Sequence, residues 1–159
     1  MLASNSTRIF LVGISQYQTP DLRLRFSASN ACDLQQAFAF KDGCAIPIDH
    51  VTILCDESAT RSDILAELQK TACACDVDDV FIFYFSGHGE REDSHFYLLP
   101  FDAEVAALST TAIGFQDLKF AFSSCRARGI LLILDCCKSA GFAENAVAFF
   151  NTLSASDFR

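Results

Sequence analysis

Val80-Phe81-Ile82-Phe83-Tyr84-Phe85-Ser86-Gly87-His88-Gly89 and Ile130-Leu131-Leu132-Ile133-Leu134-Asp135-Cys136-Cys137-Lys138-Ser139-Ala140-Gly141 decide how this chain is read. Each stretch opens on an apolar run too continuous for a half-solvated strand and fits a strand buried on both faces, as in a parallel sheet. Each then breaks abruptly into small and polar residues. A histidine and a cysteine just past the carboxyl ends of two such strands stand where open α/β sheets keep their active sites. A cysteine hydrolase assembles its nucleophile and acid/base in this way, from positions far apart in sequence.

The rest of the chain supplies the alternation such a sheet needs. Arg8–Ile14 reads as a first strand, broken at Gly13, and Ser15–Arg23, with Pro20-Asp21, as a loop. Ser27–Phe40 carries Ala31, Leu34, Ala37 and Phe38 at helical spacing. Val51–Leu54 is a second strand. Thr60–Ala74 is a second helix, opened by a capping box in which Asp63 takes the usual glutamate place, with Ile64, Leu65, Leu68 and Ala72 inward. After the strand Val80–Phe85, Glu90–Asp93 reads as a solvated loop and Phe96–Pro100 as a hairpin arm or edge segment. Phe115–Arg128 is expected to be a helix with Leu118, Phe122 and Cys125 inward and Arg126 and Arg128 favouring its carboxyl end. Ile130–Leu134 is the fourth strand. Beyond Gly141, a helix over Ala143–Phe150 and a fifth strand over Asn151–Ser156 are the expectation. Repeated βαβ units predict an α/β fold, a mostly parallel sheet with helices on both faces. One domain is expected over residues 8–159, after a disordered segment 1–7.

The chain has 159 residues, 51% of them hydrophobic and 20% charged, a balance that supports a packed core and argues against disorder. A formal net charge of −8 argues against a nucleic-acid partner. The opening Met1–Arg8 has no basic start and apolar stretch of a secretion leader, and no run approaches the roughly 18 to 20 apolar residues of a membrane span, so a cytoplasmic protein without a membrane partner is expected. Of the eight cysteines, Cys32, Cys55, Cys73, Cys75, Cys136 and Cys137 fall in or beside apolar elements and read as buried thiols. Cys73-Ala74-Cys75 lacks the second ligand pair of a zinc site, and neither metal nor cofactor is expected. Gly13 alone follows the first strand, which argues against a flavodoxin-like phosphate binder. The 16 phenylalanines read as core rather than as a stacking platform. Tyr17 reads as a packing residue, and His50 and His95 as loop residues.

With these motifs placed, the chain resembles the caspase-like cysteine peptidases, nearest the branches called orthocaspases and metacaspases. That family shows an apolar strand then S-G-H-G, and later an apolar strand then D-[SC]-C-H-S-G. Here Cys137 follows His88 by 49 residues, close to the roughly 50 of the caspase pattern. Gly13-Ile14-Ser15-Gln16-Tyr17 and Leu24-Arg25-Phe26-Ser27-Ala28-Ser29-Asn30-Ala31 are similar to the family's G-I-x-x-Y and L-x-F-A-V-N-D-A. The likeness spans residues 8–141.

The resemblance implies a caspase-like (caspase–hemoglobinase) fold and a cysteine endopeptidase working through an acyl-enzyme. In it Cys137 is the nucleophile, His88 the general acid/base, and the backbone N–H groups of Gly89 and Cys137 hold the oxyanion. It also implies a substrate pocket of Ser86, Asp135, Ser27 and Asn30, in which Asp135 accepts the Arg or Lys side chain of a peptide substrate. Asp135 is alternatively a cap for the turn after it. Asn30 stands where the family has an aspartate, with Asp33 one helical turn on, and Lys138 replaces the histidine after the nucleophile. Calcium-dependent metacaspases carry acidic residues where this chain has His95 and Phe115-Gln116, which implies calcium independence. A complete fold of this family continues into a small-subunit portion, a possible partner from the same precursor. The chain is then a processed large subunit, a shortened form or a natural short form, and its terminal Arg159 fits self-cleavage after arginine. The competing reading is a catalytically silent caspase-like module with a regulatory or assembly role.

Overall fold

The computed structural model describes residues 4–40 and 44–136. β1 (Thr7–Gly13) leads through a long loop to α1 (Ser27–Ala39), then β2 (Val51–Cys55), α2 (Arg61–Ala74) and β3 (Val80–Gly87). A hairpin of β4 (Gly89–Glu92) and β5 (His95–Leu98) follows, then the short α3 (Leu108–Thr111), β6 (Ile113–Gly114), α4 (Phe115–Phe122) and β7 (Gly129–Cys136). The main sheet has four parallel strands in the order β2-β1-β3-β7, and the hairpin pairs with β6 in a small antiparallel sheet. This is the α/β architecture expected from the sequence, with a parallel sheet between helices.

The strand order positions the site. The chain leaves β1 toward β2, then crosses back over β1 to β3, so the winding reverses between β1 and β3. Right-handed crossovers in opposite directions put α1 on one face of the sheet and α2 and α4 on the other. The crevice at the carboxyl ends of strands flanking such a reversal is where open α/β sheets bind ligands. The loop after β1 and the His88 turn after β3 both emerge there.

Period-two alternation sorts the strand side chains between two cores. Phe10 and Val12 of β1 and Phe81, Phe83 and Phe85 of β3 face α2 and α4, packing with Ile64, Leu68, Leu118 and Phe122. Ile9, Leu11, Ile82 and Tyr84 face α1, with Ala31 and the half-buried Leu34 and Phe38. Ala37, expected on the inward face of α1, is exposed.

Several expectations are corrected. β7 is not buried on both faces: it is an edge strand among the described residues, with Leu131 48% and Ile133 37% exposed, because α1 packs mainly over β1, β2 and β3. The helix expected over Phe115–Arg128 stops at Phe122, so Arg126 and Arg128 lie beyond it. Arg126 pairs instead with Asp76 at 2.8 Å. Leu118, Phe122 and Cys125 are nonetheless buried as anticipated. The expected loop Glu90–Asp93 is largely β4, with a turn at Asp93, whose φ of 54° is left-handed. The capping box of α2 is half formed. Thr60 Oγ accepts the Asp63 N–H at 3.2 Å, but the Asp63 carboxylate takes the Thr60 hydroxyl proton at 2.6 Å rather than the Thr60 N–H. Cys32 and Cys73 are exposed rather than buried, and among the described residues Cys75 and Cys125 are the buried thiols. Ser4–Ser6 form a 3-10 turn and Thr7 already belongs to β1, where disorder was expected. The expected helix over Ala143–Phe150 and strand over Asn151–Ser156 lie outside the described residues. Among the described residues no helix is long and apolar enough to cross a membrane.

Gly13 ends β1 under the first turn of α1. A Cβ there would sit 2.5 Å from Ser27 O and 2.7 Å from Ala31 Cβ, so the helix packs on the strand end only over a glycine. Gly13→Ala is expected to cost about 1–3 kcal/mol of unfolding free energy. Gly129→Ala, where a Cβ meets nothing within 4 Å, is expected to stay within about 0.5 kcal/mol of wild type. Urea midpoints of the two variants measure the difference.

Candidate active site

His88 follows β3 directly and is held from both backbone and ring. Its N–H donates to the Tyr17 hydroxyl at 2.8 Å, and the Tyr17 and His88 rings lie 5.3 Å apart. Its Nε2 lies 2.9 Å from the Leu22 carbonyl oxygen. A carbonyl only accepts, so this contact places a proton on Nε2, and in the neutral ring the lone pair is then on Nδ1. Gly87 is small because Tyr17 is close: a Cβ there would sit 2.8 Å from the Tyr17 hydroxyl. Burial raises the Tyr17 phenol well above its ordinary value, against the lowering effect of the His88 N–H bond, so the ring stays neutral.

The loop that carries Tyr17 and Leu22 is itself fixed by β2. One carboxylate oxygen of Asp56, the residue after β2, accepts the N–H groups of Ser15 and Gln16, each at 2.8 Å. Asp56 has a φ of 49°, in the left-handed region that aspartate tolerates better than most residues. Leu24 N–H closes the loop on Ser15 O at 2.8 Å, and Gln18 N–H reaches Phe101 O at 2.9 Å. Ser15 Oγ accepts the Ala28 N–H at 2.9 Å, which ties the same loop to the first turn of α1.

The hairpin orients Gly89. Leu99 N–H donates to His88 O at 3.0 Å, and Gly89 and Leu98 are the next residues opposite each other. Bonded and non-bonded pairs alternate along an antiparallel ladder, so the Gly89 N–H is turned away from β5. It is left to face another acceptor.

Of the residues expected to form a pocket, Ser86 and Asp135 are brought together. They are opposite in the β3–β7 register, and the Ser86 hydroxyl donates to Asp135 Oδ2 at 3.1 Å. Ser27 is buried on the first turn of α1 against Gly13, which is itself opposite Ser86 on β1. Asn30 is exposed, on the first turn of α1 with Ser27. Asp33 is exposed as well. Cys137 and Lys138 lie outside the described residues. Cys137 follows Cys136 in the chain, and Cys136 stands opposite Gly87, the residue before His88.

Four contributors escape a reading of the sequence. Tyr17 packs as expected, but its hydroxyl also holds His88. The Leu22 carbonyl is backbone and leaves no side-chain signal. Asp56 shows only as an acid after a strand. Tyr84 does carry a signal, a lone hydroxyl in an aromatic run, two residues before Ser86 and so on the same face. It donates to Asp135 Oδ2 at 3.3 Å. Burial raises its phenol first, Ser86 acts against that by a hydrogen bond, and Asp135 adds to the rise.

A family model for the caspase domain matches residues 7–153, and the chain belongs to this family of cysteine-type peptidases. Among solved structures it is similar to protein GSU0716 from Geobacter sulfurreducens, with a TM-score of 0.64 and 20% identity. That likeness covers 92% of this chain and 55% of the other, so the chain spans little over half of its structural neighbour. At this identity it bears on the fold alone. No curated protein matches the chain significantly.

The neutral His88 ring is expected as the Nε2–H tautomer, which long-range proton–nitrogen NMR correlations read directly. Tyr17→Phe leaves the His88 N–H without its acceptor and is expected to cost about 1–3 kcal/mol in chemical denaturation.

Proposed function

We propose that the chain is a cysteine endopeptidase of the orthocaspase/metacaspase type that cleaves after Arg or Lys without calcium. The observation that carries this reading is the β3–β7 register. It sets Ser86 against Asp135 and Gly87 against Cys136, one residue before the proposed acid/base and one before the proposed nucleophile.

In the proposed reaction His88 Nδ1 takes the Cys137 thiol proton, and the thiolate adds to the carbonyl carbon of the scissile bond. The oxyanion that forms accepts hydrogen bonds from the Gly89 and Cys137 N–H groups. Collapse of the adduct breaks the C–N bond as the imidazolium gives its proton to the leaving amine, which leaves a thioester on Cys137. Water, deprotonated by the same nitrogen, then adds to the thioester and the acid departs. The turned-out Gly89 N–H and the free Nδ1 support these roles. Asp135, a carboxylate exposed beside Ser86 and Tyr84, supports a basic side chain at the cleaved position.

Calcium independence has its own support. His95, Phe115 and Gln116 line a cavity whose lining includes one carboxylate, Asp117. Asp117 is already occupied, by Arg61 at 2.8 Å and by Gly114 N–H at 2.9 Å. A hard cation needs several oxygen ligands.

Fluorogenic peptides ending in Arg or Lys should be turned over and an Asp peptide should not. Cys137→Ala and His88→Ala should each lower kcat/KM by about 10³-fold or more. A chelator should leave the rate unchanged. An alkylating peptide directed at the active site should label wild type and not Cys137→Ala. Wild type that neither cleaves nor labels sinks the peptidase reading in favour of the silent module.

A further inference from the structure

We propose that Tyr84 sets the balance between arginine and lysine at the cleaved position, by occupying one side of the Asp135 carboxylate. The inference rests on the basic-residue pocket proposed above and goes one step further, to how that pocket tells two cations apart.

The Asp135 side chain is exposed, yet its Oδ2 already accepts two protons, from Ser86 Oγ at 3.1 Å and Tyr84 Oη at 3.3 Å. A carboxylate oxygen offers two lone pairs, so Oδ2 is saturated and Oδ1 remains for a ligand. Tyr84 cannot easily swing away. It is 5% exposed, and its ring packs among Ile9, Leu11 and Ile82 under α1. Asn30, at the position where a second acid would be expected, carries no charge to make up the loss.

Arginine gains its advantage over lysine by a fork of two parallel N–H bonds, one to each carboxylate oxygen. An ammonium needs a single oxygen and loses nothing here. With Oδ2 filled from below, Asp135 therefore presents itself as a single acceptor, and the arginine advantage is suppressed. Removing the Tyr84 hydroxyl returns one lone pair of Oδ2 to the substrate without changing the shape of the core.

The test is Tyr84→Phe in the full chain, read as the ratio of kcat/KM for matched Arg and Lys peptides. The ratio is expected to rise about threefold to tenfold, the weight of one hydrogen bond. A role confined to packing or folding would move both substrates together and leave the ratio unchanged, which overturns the inference while the peptidase reading stands. Binding supplies a readout independent of turnover: NMR titration with acetyl-arginine amide and acetyl-lysine amide should show the same shift of the Kd ratio toward arginine. If neither peptide is cleaved and neither amide binds, the pocket itself is wrong, and both readings fall together.

Discussion

The parallel pairing of β3 with β7 is the constraint on which the rest of the site depends. Main-chain bonds hold a parallel pair at even spacing and the pattern of buried side chains sets its register, which here aligns eight successive residues of β3 with eight of β7. A slip by one residue would move Ser86 away from Asp135 and turn each apolar side chain of β7 to the opposite face. Strand interiors thus hold two sequence-distant motifs to a common level. The apolar runs that bury Phe81, Phe83 and Phe85 serve this alignment before they serve stability.

A second layer of order comes from the loop after β1. Asp56 fixes Ser15 and Gln16, the loop fixes Tyr17 and Leu22, and these grip His88 at its N–H and its Nε2. The histidine is therefore oriented from two neighbouring strand ends, those of β1 and β2, as well as by its own turn. Such support from well-packed surroundings is what holds a reacting group within a fraction of an ångström of its working position. Gly13 and Gly87 belong to the same layer, each giving up a side chain so that a neighbour can approach.

Much of this was legible in the sequence, and the failures have physical causes. The strands Val80–Phe85 and Ile130–Leu134 were found because each is a short unbroken apolar run closed by small and polar residues, the pattern of a buried strand. The run over Ile130–Leu134 nevertheless misled about burial, since composition cannot tell a covered strand from one that is open on a face among the described residues. The helix from Phe115 was drawn too long because Cys125 continues the apolar spacing into a segment whose backbone has already left the helix. β4 was missed because Gly89–Glu92 is polar, and its pairing is decided by β5 opposite and not by its own residues. In the site, the residues of the two motifs were visible, whereas the groups that hold them, Tyr17, Asp56, Tyr84 and the main chain, were not. His88 stood out by its place after a buried run, Ser86 and Asp135 came with the family resemblance, and the Leu22 carbonyl has no letter in the sequence.

The grip of the Leu22 carbonyl on Nε2 has a consequence for proton traffic. With one edge of the imidazole tethered to the main chain, a single nitrogen serves as both entrance and exit. For the proposed reaction, the proton taken from sulfur must go back out through the door by which it came. The departing amine therefore has to be delivered to the rim of the ring that faces the thiol. In that reaction a main-chain carbonyl, through the ring it holds, sets the side from which the amine has to leave.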